Sequence, residues 1–367
     1  MRDRVLVLNA GSSTLKASVL ARGSEHAEAN LTAPMQGASQ ATDALSQVLA
    51  GVVAAGVDLD SIGAVGHRVV QGGSLFTRTT LLDDSVLQRI RDLARLAPLH
   101  NPVAAEVIVA ARRVLPGVPH AAAFDSAFHA SLPKEAYLYA LPYEWYSEWG
   151  YRRYGFHGLS VAWSIERCAT LLARNVLGVV VAHLGAGCSV TAVWQNRSAS
   201  TSMGMTPLEG LVMATRAGSV DPGVLLAAQR DHGLDVPALD DLLEHRSGLL
   251  GLSGRSGDMR ELLAHRASDE RAALAIDVFE RSAAAAIAAA ATALPRLDAL
   301  VFTGGIGEHA GPVRAGIVRR LAAIGVPAIE EASVDGERVL AEGPVAVLAI
   351  VAREDVVIAR EVGALMS

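Results

Sequence analysis

Short apolar runs closed by glycine-rich turns alternate along this chain with longer stretches whose apolar residues recur every three to four positions. Residues 5–8 form the first run. Asn9, Ala10, Gly11, Ser12, Ser13 and Thr14 follow, and Leu15, Ala17 and Val19 then alternate with polar or small residues. That pattern predicts a strand, a tight turn and a second strand. It recurs at 179–182, where His183-Leu184-Gly185-Ala186-Gly187-Cys188-Ser189 makes the turn and Val190, Ala192 and Trp194 continue. Two like hairpins, one early and one in mid-chain, suggest two related halves. Helical spacing covers 43–55, 84–96, 103–114, 159–173, 269–294 and 311–324, and 354–365 predicts a closing helix. Residues 297–302 read as a strand that runs through a glycine turn, 303–308, into a helix start, and 345–351 reads as the last strand.

Helices alternating with short apolar strands define an α/β architecture. A chain of 367 residues is too long for one ordinary core and predicts two domains, with a boundary near residue 129. Hydrophobic residues make up 51% and aromatics 4%, so the core must be built from Ala, Val and Leu. A net charge of -6 argues against an electrostatic grip on nucleic acid. Cys168 and Cys188 make no disulfide framework and read as reduced residues of a cytoplasmic protein. The run 5–8 is far shorter than a signal-peptide core. The Ala-rich stretch 283–294 stops at Pro295, short of the ~20 residues a membrane span needs, and reads as a buried helix. No membrane association is expected. Of 32 basic residues only Lys16 and Lys134 are lysines, which draws attention to Lys16 in the first turn.

The familiar short motifs are missing. No Gly-Lys pair exists for a Walker A loop, and there is no dinucleotide turn, no His-Glu-x-x-His, no Cys-x-x-Cys and no Gly-x-Ser-x-Gly. Three glycine-rich turns at strand ends remain: 9–16, 185–189 and 304–308. Small residues let backbone N–H groups approach phosphate oxygens closely, and hydroxyls add donors. Arg68 follows the apolar run 62–65 and precedes Gly72-Gly73, which puts it at a strand end, where sites form; Arg216 lies in Thr215-Arg216-Ala217-Gly218. Asp125, between apolar residues in Phe124-Asp125-Ser126-Ala127-Phe128-His129, reads either as a buried structural acid or as a metal ligand. His157, in Tyr154-Gly155-Phe156-His157-Gly158, is either a core histidine or a donor in a site.

Together these strings resemble the acetate kinase family. The resemblance runs nearly end to end, through Asn9-Ala10-Gly11-Ser12-Ser13-Thr14-Leu15-Lys16, 66–73, Ala97-Pro98-Leu99-His100-Asn101-Pro102, 124–129, 154–158, 183–189, Met203-Gly204-Met205-Thr206-Pro207-Leu208-Glu209-Gly210, 247–251, 302–308 and Ile358-Ala359-Arg360. It implies a duplicated two-domain fold like that of actin, Hsp70 and sugar kinases (ribonuclease H-like), with the nucleotide in the cleft. The N-terminal domain would be 1–128 with 356–367, and the C-terminal, nucleotide-binding domain 129–355. The implied reaction is reversible, Mg²⁺-dependent transfer of a phosphoryl group from ATP to acetate, giving acetyl phosphate and ADP, in a homodimer. Mn²⁺ is a possible substitute for Mg²⁺, and propionate or a further short-chain acid could replace acetate. A sugar-hydroxyl kinase with Asp125 as base and a catalytically weakened ATP-binding relative also stay open at this point.

By the same resemblance, Asn9, Ser12, Thr14 and Lys16 lie near the phosphates. Arg68 and Arg216 hold the carboxylate and the transferring phosphoryl group. Asn9, Asp125 and Glu354 act around the metal. His157, His183, Gly185 and Gly187 contact the phosphates or the transition state. Asp258, Met259, Arg260, Gly305, Ile306, Gly307 and His309 border the nucleotide, and Val70, Leu99, Phe156 and Pro207 line the methyl pocket. Four positions depart from the family pattern. Ala186 stands for the usual Asn, Ser219 for an Asp after Arg-x-Gly, His309 for an Asn after Gly-Ile-Gly-Glu, and Arg353 for an Asn before Glu354. A carboxylate acceptor is already ionised at neutral pH and needs no general base. Its site should hold arginines, acids for a metal and backbone donors.

Overall fold

The computed structural model describes residues 3–11, 13–333 and 335–366. The chain divides into two compact units, Met1–Ala130 with Arg353–Ser367, and Ser131–Ala352. His129, Ala130, Arg353, Glu354 and Asp355 fall in the first unit, whereas the sequence reading puts them in the second domain; for the last three the closing helix decides it. The reason is local: the helix Glu354–Leu365 packs on the first unit's strands, and Arg353 donates to Glu25 O at 2.7 Å.

In the first unit, β1 (Arg4–Ala10), β2 (Thr14–Ala21), β3 (Ala27–Pro34), β4 (Ile62–Val69), β5 (Thr80–Leu81) and β6 (His120–Phe124) form one sheet in the order β3-β2-β1-β4-β6-β5. β1, β4 and β6 are parallel, while β2, β3 and β5 run antiparallel to their neighbours. In the second, β7 (Gly178–Leu184), β8 (Cys188–Trp194), β9 (Arg197–Thr201), β10 (Ala299–Thr303), β11 (Arg338–Ala341) and β12 (Ala346–Ala349) are ordered β11-β12-β10-β7-β8-β9. Traversed from β9, the second sheet repeats the first strand for strand and direction for direction, down to the antiparallel edge strand. The two hairpins visible in the sequence are thus the same element of a duplicated fold.

The cores are aliphatic, as the composition requires. In the first unit, Leu6, Leu8, Leu15 and Val65 of the sheet pack with Val48 and Leu49 of the helix Ala41–Ala54 and Val107 and Ala110 of the helix Asn101–Val114. In the second, the Ala-rich stretch lies in the helix Glu270–Ala291, which buries Ala283, Ala284, Ile287 and Ala290. No helix of the described residues is long and apolar enough to cross a membrane. Several spans are shorter than expected: the helix read over 269–294 is Glu270–Ala291, and the strand read over 345–351 is Ala346–Ala349. The helix expected over 311–324 ends at Arg319 and closes in a 3₁₀ turn, Ala322–Ile324, stopped by Gly325 at φ 78°. The helix expected over 84–96 ends at Asp92 and continues as a 3₁₀ turn, Leu93–Arg95.

Candidate functional site

Open α/β sheets bind ligands beyond the carboxyl ends of their parallel strands, and in the first unit three predicted residues meet there. Asn9 of β1 stands opposite Arg68 of β4, and Asp125 follows the end of β6. β4 runs on through Val69, so Arg68 lies inside the strand rather than after it. Arg68 Nε donates to Asp125 Oδ1 at 3.1 Å and Nη2 to Oδ2, while Nη1 donates to Asn9 Oδ1 at 3.1 Å. Glu354, the first residue of the closing helix, completes the group: its Oε2 accepts from Asn9 Nδ2 at 3.3 Å and lies 3.4 Å from Arg68 Nε.

Asp125 is fully buried. Burial pushes its carboxyl up, to about 6, against the pull of Arg68, and Glu354 adds to the rise. Burial alone would depress the Arg68 guanidinium, but the carboxylates of Asp125 and Glu354 outweigh it and hold it above the ordinary arginine value. The two acids and the amide oxygen of Asn9 form a sparse donor set. Such a set fits Mg²⁺, which binds through one or two carboxylates plus substrate phosphates. Among the described residues no group of three or more His, Cys, Asp or Glu could cage a metal. Lys16 is exposed on β2 directly opposite Asn9, and Gly11 N donates to Thr14 O at 2.8 Å across the turn. Ser12 lies outside the described residues. Val70 is buried, whereas Leu99, expected in the methyl pocket, is exposed.

The second unit gathers a separate cluster. His157 adopts a left-handed conformation, φ 58° and ψ 24°, just ahead of the helix Gly158–Leu172. Left-handed non-glycine residues store strain of about 1–3 kcal/mol and gather at functional sites. The His157 ring stacks on His183 with centroids 4.0 Å apart. Ser189 Oγ lies 3.0 Å from His157 Nδ1, and Ser160 Oγ lies 2.8 Å from His183 Nδ1. Each hydroxyl holds one ring nitrogen and so helps to orient the imidazole. A Cβ at Gly187 would stand 3.6 Å from both Arg216 Nη1 and His157 Nε2, and one at Gly185 would stand 3.8 Å from the Gly305 amide nitrogen. The glycine turn therefore comes within van der Waals reach of Arg216, the two histidines and the third glycine turn with no side chain of its own between, a glycine-lined cradle of a kind that suits an anion.

The remaining predicted residues are more scattered. Gly304 to His309 form one short helix after β10 rather than a turn leading into a helix. Gly305 is exposed with open space around it, Gly307 is buried, and Ile306 is half-buried. His309 is exposed, 3.9 Å from Glu308. Asp258 caps the helix Met259–His265, and Arg260 holds its carboxyl at about 2. The Met259 side chain is in the core, so only its backbone is free to border a ligand. Phe156 and Pro207 are buried. Sequence reasoning missed Ser160, the role of Ser189, and Glu244, whose Oε2 lies 2.8 Å from Arg216 Nε. Ser160 sits one helical turn after His157, a spacing that could have drawn attention; nothing in the sequence singles out Glu244.

Two six-stranded mixed sheets of one topology, each with chemistry at the carboxyl ends of its parallel strands, define an α/β protein of the actin-like ATPase class. The model of the acetokinase family matches residues 22–360. An acetate kinase of Deinococcus radiodurans is 42% identical over 97% of this chain and 96% of its own length. A propionate kinase of Edwardsiella piscicida is 42% identical over 88% of this chain and 85% of its own. Among solved structures, the acetate kinase of Porphyromonas gingivalis superposes with a TM-score of 0.90 at 30% identity, with 100% of both chains covered. A propionate kinase from Francisella tularensis gives 0.88 at 35%, with 98% of each chain covered. The chain belongs to the acetokinase family.

Proposed function

We propose that this protein is an ATP:acetate phosphotransferase that makes acetyl phosphate and ADP by direct, reversible transfer. The observation that carries this reading is the pair of arginines. Arg68 is clamped by Asp125, Glu354 and Asn9, and Arg216 is aimed at the glycine cradle of Gly187. The obstacle to this reaction is repulsion between two anions, and an arginine fork binds either carboxylate or phosphate while staying charged. Arg68 and Arg216 hold the carboxylate and the transferring phosphoryl group. His157 and His183 donate to phosphoryl oxygens, and the Gly185–Gly187 and Gly305–Gly307 backbones border the nucleotide with Asp258 and Arg260. Asn9, Asp125 and Glu354 would hold Mg²⁺, or Mn²⁺ in its place. When bound, the ion neutralises charge on the phosphate oxygens.

Acetate and propionate are the two candidate substrates, because relatives of the same identity carry both names; acetate comes first because that name recurs among the relatives that cover most of the chain. A hydroxylamine trap for acyl phosphate, with ATP, Mg²⁺ and either acid, tests the reading. Acetyl hydroxamate is expected, propionyl hydroxamate in smaller yield, and ADP release without hydroxamate refutes it. We also read the protein as a homodimer. The helix Pro222–His232 buries none of its residues and exposes Val224 and Leu226, and Val236 opens the next helix exposed. Two free, buried cysteines suit a reducing cytoplasm.

A further inference from the structure

The helix Val236–His245 covers almost nothing, and the one residue it buries is Glu244, in its last turn. A carboxylate there meets the negative end of the helix dipole, and burial penalises its charge unless a partner compensates. The partner is Arg216, whose Nε lies 2.8 Å from Glu244 Oε2, both side chains being largely buried. No other carboxylate pairs with Arg216 among the described residues. The backbones are clasped as well: Thr215 Oγ1 donates to Glu244 O at 2.7 Å, and Ala217 N donates to Leu243 O at 3.3 Å. Glu244 holds the Nε side of the guanidinium by charge, and Nη1, which donates to Met213 Sδ at 4.0 Å, lies 3.6 Å from the position of a Gly187 Cβ, at the cradle. Ser219 cannot do this. Its hydroxyl carries no charge, accepts from Gly210 N at 3.2 Å and lines a cavity with Tyr139, Thr206 and Glu209.

We propose that Glu244 is a positioning residue for phosphoryl transfer, acting through its ion pair with Arg216. The inference rests on the role given to Arg216 above. Glu244→Gln keeps the shape and removes the charge. It is expected to lower kcat about tenfold or more, since small displacements of a positioning group cost up to ~10²-fold, with KM for acetate and ATP within about threefold. In the Arg216→Ala background the same change is expected to add nothing, because Glu244 acts through that arginine. Glu244→Asp, which keeps the charge but retracts it, is expected to fall between parent and Gln, and it carries the test should the Gln variant not fold. A parental kcat in the folded Gln variant, or losses that multiply in the double variant, overturns the proposal. The affinity of the same four proteins for a non-hydrolysable ATP analogue gives a readout without turnover. If the parent forms no hydroxamate, the reading of the activity fails and the positioning role falls with it, whereas an active parent beside a folded Gln variant of parental kcat overturns the positioning role alone.

Discussion

Adding one methyl group at Gly187 separates folding from chemistry. The φ of Gly187 is not in the left-handed region, so alanine fits its backbone. The nearest atoms to the new Cβ would be Arg216 Nη1 and the His157 ring, both at 3.6 Å, which is ordinary van der Waals contact. Nothing has to move. Replacing glycine by alanine at a compatible position stabilises by about 0.4–1 kcal/mol through the unfolded chain. The same methyl occupies the space through which a phosphoryl oxygen would reach Nη1 at about 2.9 Å. Excluding one such donor costs about 10²–10³ in rate. Gly187→Ala is therefore expected to melt at or slightly above the parent temperature while kcat in the hydroxamate assay falls by that factor. Gly304→Ala is the control. Gly304 has φ 75°, and a Cβ there would lie 2.8 Å from Leu184 O, so this variant should lose stability first. A Gly187→Ala enzyme that turns over within about threefold of the parent would refute the placement of the phosphoryl group.

Three further outcomes are expected. Arg68→Ala should lose both turnover and about 3–5 kcal/mol of stability, because it strands the buried Asp125 carboxylate; a denaturant curve unchanged from the parent counts against the clamp. His67 and His120 are buried with Nε2 of one 3.0 Å from Nδ1 of the other, and burial lowers both, His67 well below its usual value. The unfolded chain takes up protons below about pH 6.5 that the folded pair refuses, so stability is present above that pH and is lost below it. Urea unfolding at pH 7 and 5.5 should differ by roughly 1–2.5 kcal/mol from this pair, and His67→Gln should reduce the difference; an unchanged pH dependence in that variant rules the pair out. Finally, Val70→Ala should narrow the preference for acetate over propionate, mainly through KM for propionate. One methylene is worth about 1–3 kcal/mol, and an unchanged kcat/KM ratio removes Val70 from the methyl pocket.

What could be read from the chain depended on how far each signal reached along it. The β1–β2 hairpin and the helix Glu354–Leu365 were legible because their apolar period and their turn residues lie within one short window. β3 was not: its buried positions include Ala29 and Ala33 amid Glu, Asn and Thr, an alternation too weak in hydrophobicity to register. The helices Pro222–His232 and Val236–His245 have no core-facing stripe to reveal them, because almost nothing in them is buried. The site divides in the same way. Asn9, Gly185 and Gly187 announce themselves through local glycine-rich strings. The clamp on Arg68, by contrast, joins residues 57 and 286 positions apart along the chain, and composition cannot show that. Glu244 is the extreme case, one acid among several in Leu239-Asp240-Asp241-Leu242-Leu243-Glu244. Only the fold distinguishes it, by burying it against Arg216 while Asp241 stays half in solvent with Arg246. A substitution at Asp241 should therefore pass unnoticed where the same change at Glu244 does not: screened surface pairs contribute about 0–1 kcal/mol, whereas breaking a buried pair strands a charge.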